Sequence, residues 1–226
     1  MLKIIKDSIF SNKNNNTIIN YNIENFIKKK IQKNFIKKYY KSIAFLGPRG
    51  SYSHLALLTY TNNSFINKTI ISISCKSFTE IFFYIKSKII NFAIIPIYNN
   101  YTGLIKEVLI LLKNNKYFLH IKKKIILPIQ HCLVSHQDDI YKIKKVFSHP
   151  EPFKQCSIFI NKFPKWEIKY CSSSSFAMKF INKNKSKKLA AIGNKISAKF
   201  YKLKIIKTNI SNKINNQTSF LVLEKR

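Results

Sequence analysis

The side chains in this sequence that can take part in chemistry gather in four short segments, each following an apolar run. They are Gly47–Ser53 (GPRGSYS), Asn99–Gly103 (NNYTG), Ser148–Gln155 (SHPEPFKQ) and Ser172–Ser175 (SSSS). Each offers hydroxyls and amides instead of carboxylates. The whole chain has 9 Asp and Glu, which leaves little room for the paired carboxylates of acid–base hydrolysis. Neutral donors at turns and helix starts suit an anion, because the first N–H groups of a helix lack intrahelical partners. If the four segments converge, they build an anion pocket. His149 has the chemistry of a general acid or base, but a His before Pro at a strand end more often shapes a turn. No Ser-His-Asp or Cys-His order is defensible from spacing.

The first segment is the most distinctive. Ile43–Leu46 is a short apolar run, stopped by Gly47-Pro48-Arg49-Gly50, and Ser51 or Ser53 can cap a helix beginning near His54. Two of the chain's 4 glycines lie within these few residues, which points to a close approach of backbone to something else. From here the sequence alternates strand-like and helix-like stretches. Strands are expected at Thr69–Ser74, Phe92–Ile97 (ended around Pro96), Ile121–Ile129, His131–Ser135, Ile143–Phe147, Trp166–Tyr170, Leu189–Ile192 and Phe220–Leu223. Helices are expected after Ser53, after the Ser77…Glu80 capping box, at Leu104–Leu112, Pro152–Phe163, after Ser172–Ser175 and at Asn194–Tyr201. Such alternation argues for an α/β fold with mostly parallel sheets. Residues 1–41 form an N-terminal extension in which Ile23, Phe26, Ile27, Ile31, Phe35 and Ile36 recur at helical spacing, predicting one amphipathic helix from about Ile23 to Tyr40.

With 226 residues and 46% hydrophobic content, the chain is long and apolar enough for a real core. Its net charge is +32. The lysines alternate with Ile and Asn along the whole length, so the charge reads as compositional drift. A polyanion-binding surface would concentrate it on one face, and no specific nucleic-acid partner is expected. Cys75, Cys132, Cys156 and Cys171 form no CxxC pair, and no His pair lies at zinc spacing, so no metal is expected. A reduced, cytoplasmic chain follows. No apolar run approaches the roughly 20 residues that span a bilayer, so no membrane partner is expected.

Four stretches occur together in the order and spacing of one known family. Ile43–Ala56 (IAFLGPRGSYSHLA), Phe92–Gly103 (FAIIPIYNNYTG), Val146–Cys156 (VFSHPEPFKQC) and Asn216–Leu223 (NQTSFLVL) resemble prephenate dehydratase, with LPIQHCLVS and LAAIGN between them. The likeness runs over about residues 42–226 and is nearest the dehydratase part of the bifunctional chorismate mutase–prephenate dehydratases. It implies an α/β, periplasmic-binding-protein-like domain of two lobes with the active site in the cleft between them. The expected lobes are 42–120 with 208–226, and 121–207. It also implies conversion of prephenate to phenylpyruvate, water and CO2 without a cofactor, on the way to phenylalanine. A homodimer is compatible with it. The first 41 residues are too short for a mutase domain, and the family's regulatory ACT domain, which would follow Leu223, is not expected.

Residue by residue, Thr218 matches the essential threonine of the family's Thr-Arg-Phe motif and is expected to assist departure of the ring hydroxyl. Asn99, Gln155, Phe220, Ser173 and Ser174 match substrate-binding positions, as do Ser51, Tyr52 and Ser53 in the first segment. Ser219 stands where the family has an arginine for a substrate carboxylate, Tyr98 where it has glutamate and Asn100 where it has serine or threonine. Lys154 is the expected partial substitute for the missing cation. The alternatives are a weakened module that binds a small carboxylate without turning it over and, resting on charge alone, a polyanion-binding protein.

Overall fold

The computed structural model describes residues 9–11, 17–21, 40–65 and 69–226. The expected helix at Ile23–Tyr40 lies outside the described residues, apart from Tyr40, which opens a strand. The chain divides into two compact units. The first holds the described residues up to Gly47, then Ser53–Leu127 and Thr218–Arg226; the second holds Pro48–Tyr52 and Pro128–Gln217.

The first unit carries an eight-stranded mixed sheet. Its strands are β1 (Ile9–Ser11), β2 (Thr17–Tyr21), β3 (Tyr40–Leu46), β4 (Thr69–Cys75), β5 (Phe92–Asn99), β6 (Gly103–Leu104), β7 (Leu119–Pro128) and β13 (Gln217–Lys225). The spatial order is β1-β2-β4-β3-β5-β13-β7, with β6 against β5. β3 pairs parallel with β4 and β5, and β13 runs antiparallel to β5. Strict alternation sorts the side chains. Ala44, Ile73, Ala93, Ile95, Leu221 and Leu223 face one core with Ile81, Phe82 and Ile85 of helix α2 (Phe78–Lys86) and Val108 of helix α3 (Lys106–Asn114). On the other face, Phe45 stacks on His54, and Phe92 meets Tyr60 and Phe65, at and after helix α1 (Tyr52–Ser64). α2 starts on the expected cap: Ser77 accepts from Glu80 N. Glu80 reaches back one residue further than a reciprocal box would, accepting from Lys76 N.

The second unit carries a five-stranded sheet in the order β10-β9-β11-β8-β12. The strands are β8 (Cys132–Ser135), β9 (Lys145–Ser148), β10 (Glu167–Tyr170), β11 (Leu189–Gly193) and β12 (Lys204–Lys207). Neighbouring residues again go to opposite cores. Leu133, Val146, Ala190 and Ile192 pack with Phe153, Cys156 and Trp166. Cys132, Val134 and Ala191 pack with Ala177, Met178 and Ile181 of helix α6 (Ser174–Asn184) and Ala198 of helix α7 (Lys195–Phe200). Cys132 and Cys156 thus belong to different cores, and all four cysteines are free.

Several boundaries differ from the sequence reading. β5 does not stop at Pro96; it passes through and ends at Asn99. The single helix expected at Pro152–Phe163 is two short ones, α4 (Pro150–Gln155) and α5 (Ser157–Ile160), separated at Cys156. β12 was not expected. The units divide at 127/128 and 217/218 instead of 120/121 and 207/208, for two reasons. β7 stays in the first sheet nearly to its end. The segment after β12 is tied to the second unit by Ile210 N to His131 O (3.2 Å), Asn212 N to Gln155 O (2.7 Å) and Ile129 N to Asn216 O (2.7 Å).

Leu133 is fully buried on β8, between β11 and β12 of the second sheet. Leu133→Ala is expected to lower the stability of the protein by about 2–5 kcal/mol, read as an earlier midpoint in urea unfolding.

Candidate functional site

The first unit brings Thr218 and Asn99 together although 119 positions separate them in sequence. They are directly opposed where β13 meets the end of β5. The register explains how. Thr218 pairs with Asn99 and Ser219 with Tyr98, but Phe220 pairs with Pro96, so β5 carries one extra residue. Pro96 has no N–H for the ladder, and a bulge is where a sheet accepts such a residue. The insertion also shifts the alternation by one. Counting by twos from Ile95 and Ile97, Asn99 would face the α2 core; after the bulge it faces the Thr218 side instead.

Both ends of the Asn99 carboxamide are committed. Its Oδ1 accepts from Tyr101 N (2.9 Å) and Thr102 N (3.1 Å), closing the turn that ends at Gly103 with φ +84°. Backbone N–H groups can only donate, so this end must be the oxygen. The other end is therefore Nδ2, which donates to Thr218 Oγ1 at 2.8 Å. Thr218 is buried, and its hydroxyl, as acceptor here, has its own proton to give elsewhere. Donation into the oxygen polarises the O–H and makes it a better donor in turn. Phe220 is fully buried two residues along the same face of β13. Ser219 lies on the opposite face, with Leu221 and Leu223, and is cross-strand from the exposed Tyr98.

The second unit holds Gln155, at the end of α4. Its Oε1 accepts from Asn216 Nδ2 (3.0 Å) and lies 2.9 Å from His131 Nε2. His149 caps α4, its Nδ1 accepting from Glu151 N at 3.2 Å, which is the turn-shaping role. Lys154 is 69% exposed and pairs with Glu151 at 2.9 Å, a surface contact and not a buried cation.

The Pro48–Tyr52 turn is gripped by carbonyl oxygens, not displayed by its N–H groups. Asn194 Nδ2 donates to Gly50 O (2.8 Å), and Ser197 Oγ donates to the same oxygen; Ser175 Oγ and Tyr201 Oη donate to Arg49 O. Ser51 N donates to Pro48 O. The helix begins at Tyr52, so Ser53 lies within it and is buried, while Ser51 precedes it. Tyr52 donates its phenol to Gln130 O (2.9 Å), and burial holds that phenol well above its ordinary pKa. Ser173 is the N-cap of α6, accepting from Phe176 N at 3.0 Å. Ser148 Oγ donates to Ile192 O, so its contact with Ser174 Oγ (3.2 Å) takes the proton from Ser174. Ser173 and Ser174 therefore have structural partners in their own unit. The sequence reading missed Asn194, Ser197 and Tyr201; the Asn-x-x-Ser cap at the start of α7 was their only visible signal.

Burial pushes the thiols of Cys75, Cys132 and Cys156 up to about 12, so they are not thiolate nucleophiles at neutral pH. Among the described residues no group of three or more His, Cys, Asp or Glu could hold a metal ion, and no helix is long and apolar enough to cross a membrane.

Two mixed sheets flanked by helices, with a buried hydroxyl oriented by a carboxamide, define an α/β protein equipped with neutral hydrogen-bond donors. The chain belongs to the prephenate dehydratase family, whose model matches residues 43–226. It is 41% identical over 186 residues to the bifunctional chorismate mutase/prephenate dehydratase of Buchnera aphidicola subsp. Schizaphis graminum (82% of this chain, 47% of that protein). It is 39% identical to the corresponding protein of Enterobacter agglomerans (81% and 47%). The chain spans about half the length of these relatives. Among solved structures, the prephenate dehydratase of Staphylococcus aureus Mu50 superposes with a TM-score of 0.68 at 25% identity, covering 81% of this chain and 66% of that one.

Gly50 sits at φ +83°, and a Cβ there would lie 2.7 and 2.8 Å from the Oγ atoms of Ser197 and Ser175, the same hydroxyls that grip the turn. Gly50→Ala is expected to lower stability by about 1–3 kcal/mol from the backbone strain. It should also make the turn more susceptible to limited proteolysis than it is in the parent protein.

Proposed function

We propose that this chain is a prephenate dehydratase, converting prephenate to phenylpyruvate, water and CO2 in phenylalanine biosynthesis. The observation that carries this reading is the Asn99–Thr218 hydrogen bond, which leaves the threonine proton for a substrate oxygen. In the reaction the bond from the ring to its carboxylate breaks, and its electron pair enters the ring. The bond from the ring to its hydroxyl breaks at the far carbon, and the departing oxygen takes up one proton to become water. No electrons are gained or lost overall, so no redox partner is needed. Aromatisation of the ring drives the step.

Thr218 donates its hydrogen bond to the oxygen as negative charge builds on it. A threonine hydroxyl is a weak acid, so its contribution is a positioned donor in a dry setting, strengthened by Asn99, with solvent supplying the proton that completes the water. The Gln155 carboxamide, with its oxygen turned toward Asn216, offers its Nε2 hydrogens to a carboxylate or keto oxygen of the substrate. The roles of Ser51, Tyr52, Ser53, Ser173 and Ser174 are indirect in this reading. Ser173 and Ser174 set the start of α6, and Tyr52 fixes its own segment against Gln130. Four free thiols suit a reducing compartment and a cytoplasmic enzyme.

The test is phenylpyruvate formation from prephenate by the purified chain. Thr218→Ala is expected to lower kcat roughly a hundred- to thousandfold, the effect of removing one positioned transition-state donor. Asn99→Asp separates orientation from fold. Its carboxylate still accepts from Tyr101 N and Thr102 N, so the turn and the unfolding midpoint should persist. It cannot donate to Thr218, and it captures the threonine proton, so turnover should fall with Thr218 intact. Full activity in Thr218→Ala would show that another group carries the step. Tight prephenate binding without turnover in the parent protein would favour a binding module.

A further inference from the structure

His131 is 2% exposed and opens the β8 segment, one residue before Cys132. Its ring is held from several sides. The backbone is fixed by His131 N to Ser211 Oγ (3.3 Å) and Ile210 N to His131 O (3.2 Å). Tyr52 lies edge-on to the ring, with centroids 5.9 Å apart. One ring nitrogen, Nε2, meets Gln155 Oε1 at 2.9 Å. The other, Nδ1, is buried with no hydrogen-bond partner among the described residues.

That asymmetry identifies the tautomer. If the proton sat on Nδ1, the core would hold a donor with nothing to receive it, which folded proteins rarely tolerate. With the proton on Nε2, the ring donates to Gln155 Oε1, and only a lone pair is left unpaired. Gln155 Oε1 then accepts two hydrogen bonds, from His131 and from Asn216 Nδ2. Its two lone pairs are filled, and its carboxamide has one orientation. The Gln155 Nε2 has no protein partner among the described residues and, unlike His131 Nδ1, is not sealed from solvent. Burial lowers the His131 pKa, which keeps the ring neutral and in the donor–acceptor form this arrangement needs.

We propose that His131 is a positioning residue: its Nε2–H, together with Asn216, locks the Gln155 carboxamide oxygen inward so that both Nε2 hydrogens face a substrate oxygen. This rests on the reading of Gln155 as a substrate-binding residue. A free carboxamide would spend part of its time with oxygen outward, where it repels the carboxylates of a dianion. The lock removes that state, and it gives the buried His131 ring a use that packing alone does not.

Two measurements on the full chain decide it. The first needs no variant: 15N NMR of the imidazole should show a protonated Nε2 and a bare Nδ1 at neutral pH. An Nδ1-protonated ring overturns the lock. The second is a double-mutant cycle on prephenate turnover. His131→Phe keeps the ring volume and removes the donor; KM is expected to rise about two- to tenfold, the usual scale for one hydrogen bond, with kcat changed less. In a Gln155→Ala background the same substitution should change nothing further. An equal rise in both backgrounds overturns the proposal, because His131 would then act through the fold and not through Gln155. If His131→Phe fails to fold, Asn216→Ala in the same cycle tests the other donor of the lock, and the imidazole spectrum decides the part of His131. Absence of turnover in the parent protein overturns the proposed function instead, and the imidazole spectrum alone then decides whether His131 holds Gln155.

Discussion

The turn after β5 needs one acceptor for two backbone N–H groups, those of Tyr101 and Thr102, and Asn99 supplies it. That single requirement settles the rest of the arrangement around Thr218. It forces the oxygen of the carboxamide toward the turn and the nitrogen toward β13. It makes Thr218 an acceptor there and leaves its proton for another oxygen. A glutamine would reach too far to close the turn, and an aspartate would close it but reverse the polarity at Thr218. The hydroxyl is thus oriented by the folding of a five-residue turn, and no acidic group is needed beside it. This suits a chain with 9 acids and the anionic substrate proposed for it.

The second unit uses the same device twice. Gln155 has its oxygen held by two donors, and the Pro48–Tyr52 turn has two of its carbonyls held by Ser175, Asn194, Ser197 and Tyr201. In each case a neutral side chain donates to an oxygen, fixing which polar end faces outward. Side-chain amides and hydroxyls are ambidextrous, and their usefulness as recognition groups depends on removing that ambiguity. Gly50 is part of the same economy of space. Its left-handed φ lets the turn bring Arg49 O and Gly50 O against helix starts where any Cβ would strike two serine hydroxyls.

Much of this was legible in the sequence. The strand–helix alternation, the Ser77 cap, the glycine-rich turn and the family resemblance all come from local pattern or from ordered motifs. What was not legible depends on register and on partners far along the chain. Pro96 reads as a strand end; only pairing with β13 shows that it marks a bulge inside the strand. Cys156 separates two helices because the chain turns there to let Asn212 bond Gln155 O and Lys154 O, partners over 50 residues away. Lys204–Lys207 is four residues long with a lysine at each end, too short to announce a strand, and it forms as the edge partner of β8. His131, in an apolar run, reads as an ordinary core histidine until Gln155, 24 positions on, is placed against it.

Ser219 shows where a motif-by-motif reading and strand geometry part. By type, serine in place of arginine is a lost cation. By alternation, position 219 leaves β13 on the side of Leu221 and Leu223, away from the face of Thr218, and it is 7% exposed. A guanidinium there would start in an apolar core, and its route to water would run past Tyr98, which is 41% exposed. Burying an arginine without a partner is costly, so the long side chain would have to follow that route. Tyr98 and Ser219 therefore share one cross-strand position. The glutamate and arginine that the motif resemblance implies at these two positions would face each other across the strands; this chain has a phenol and a small hydroxyl there. With neither residue charged, the position holds no unpaired buried charge, and the hydrogen bond between Asn99 and Thr218 lies one residue along on the other face.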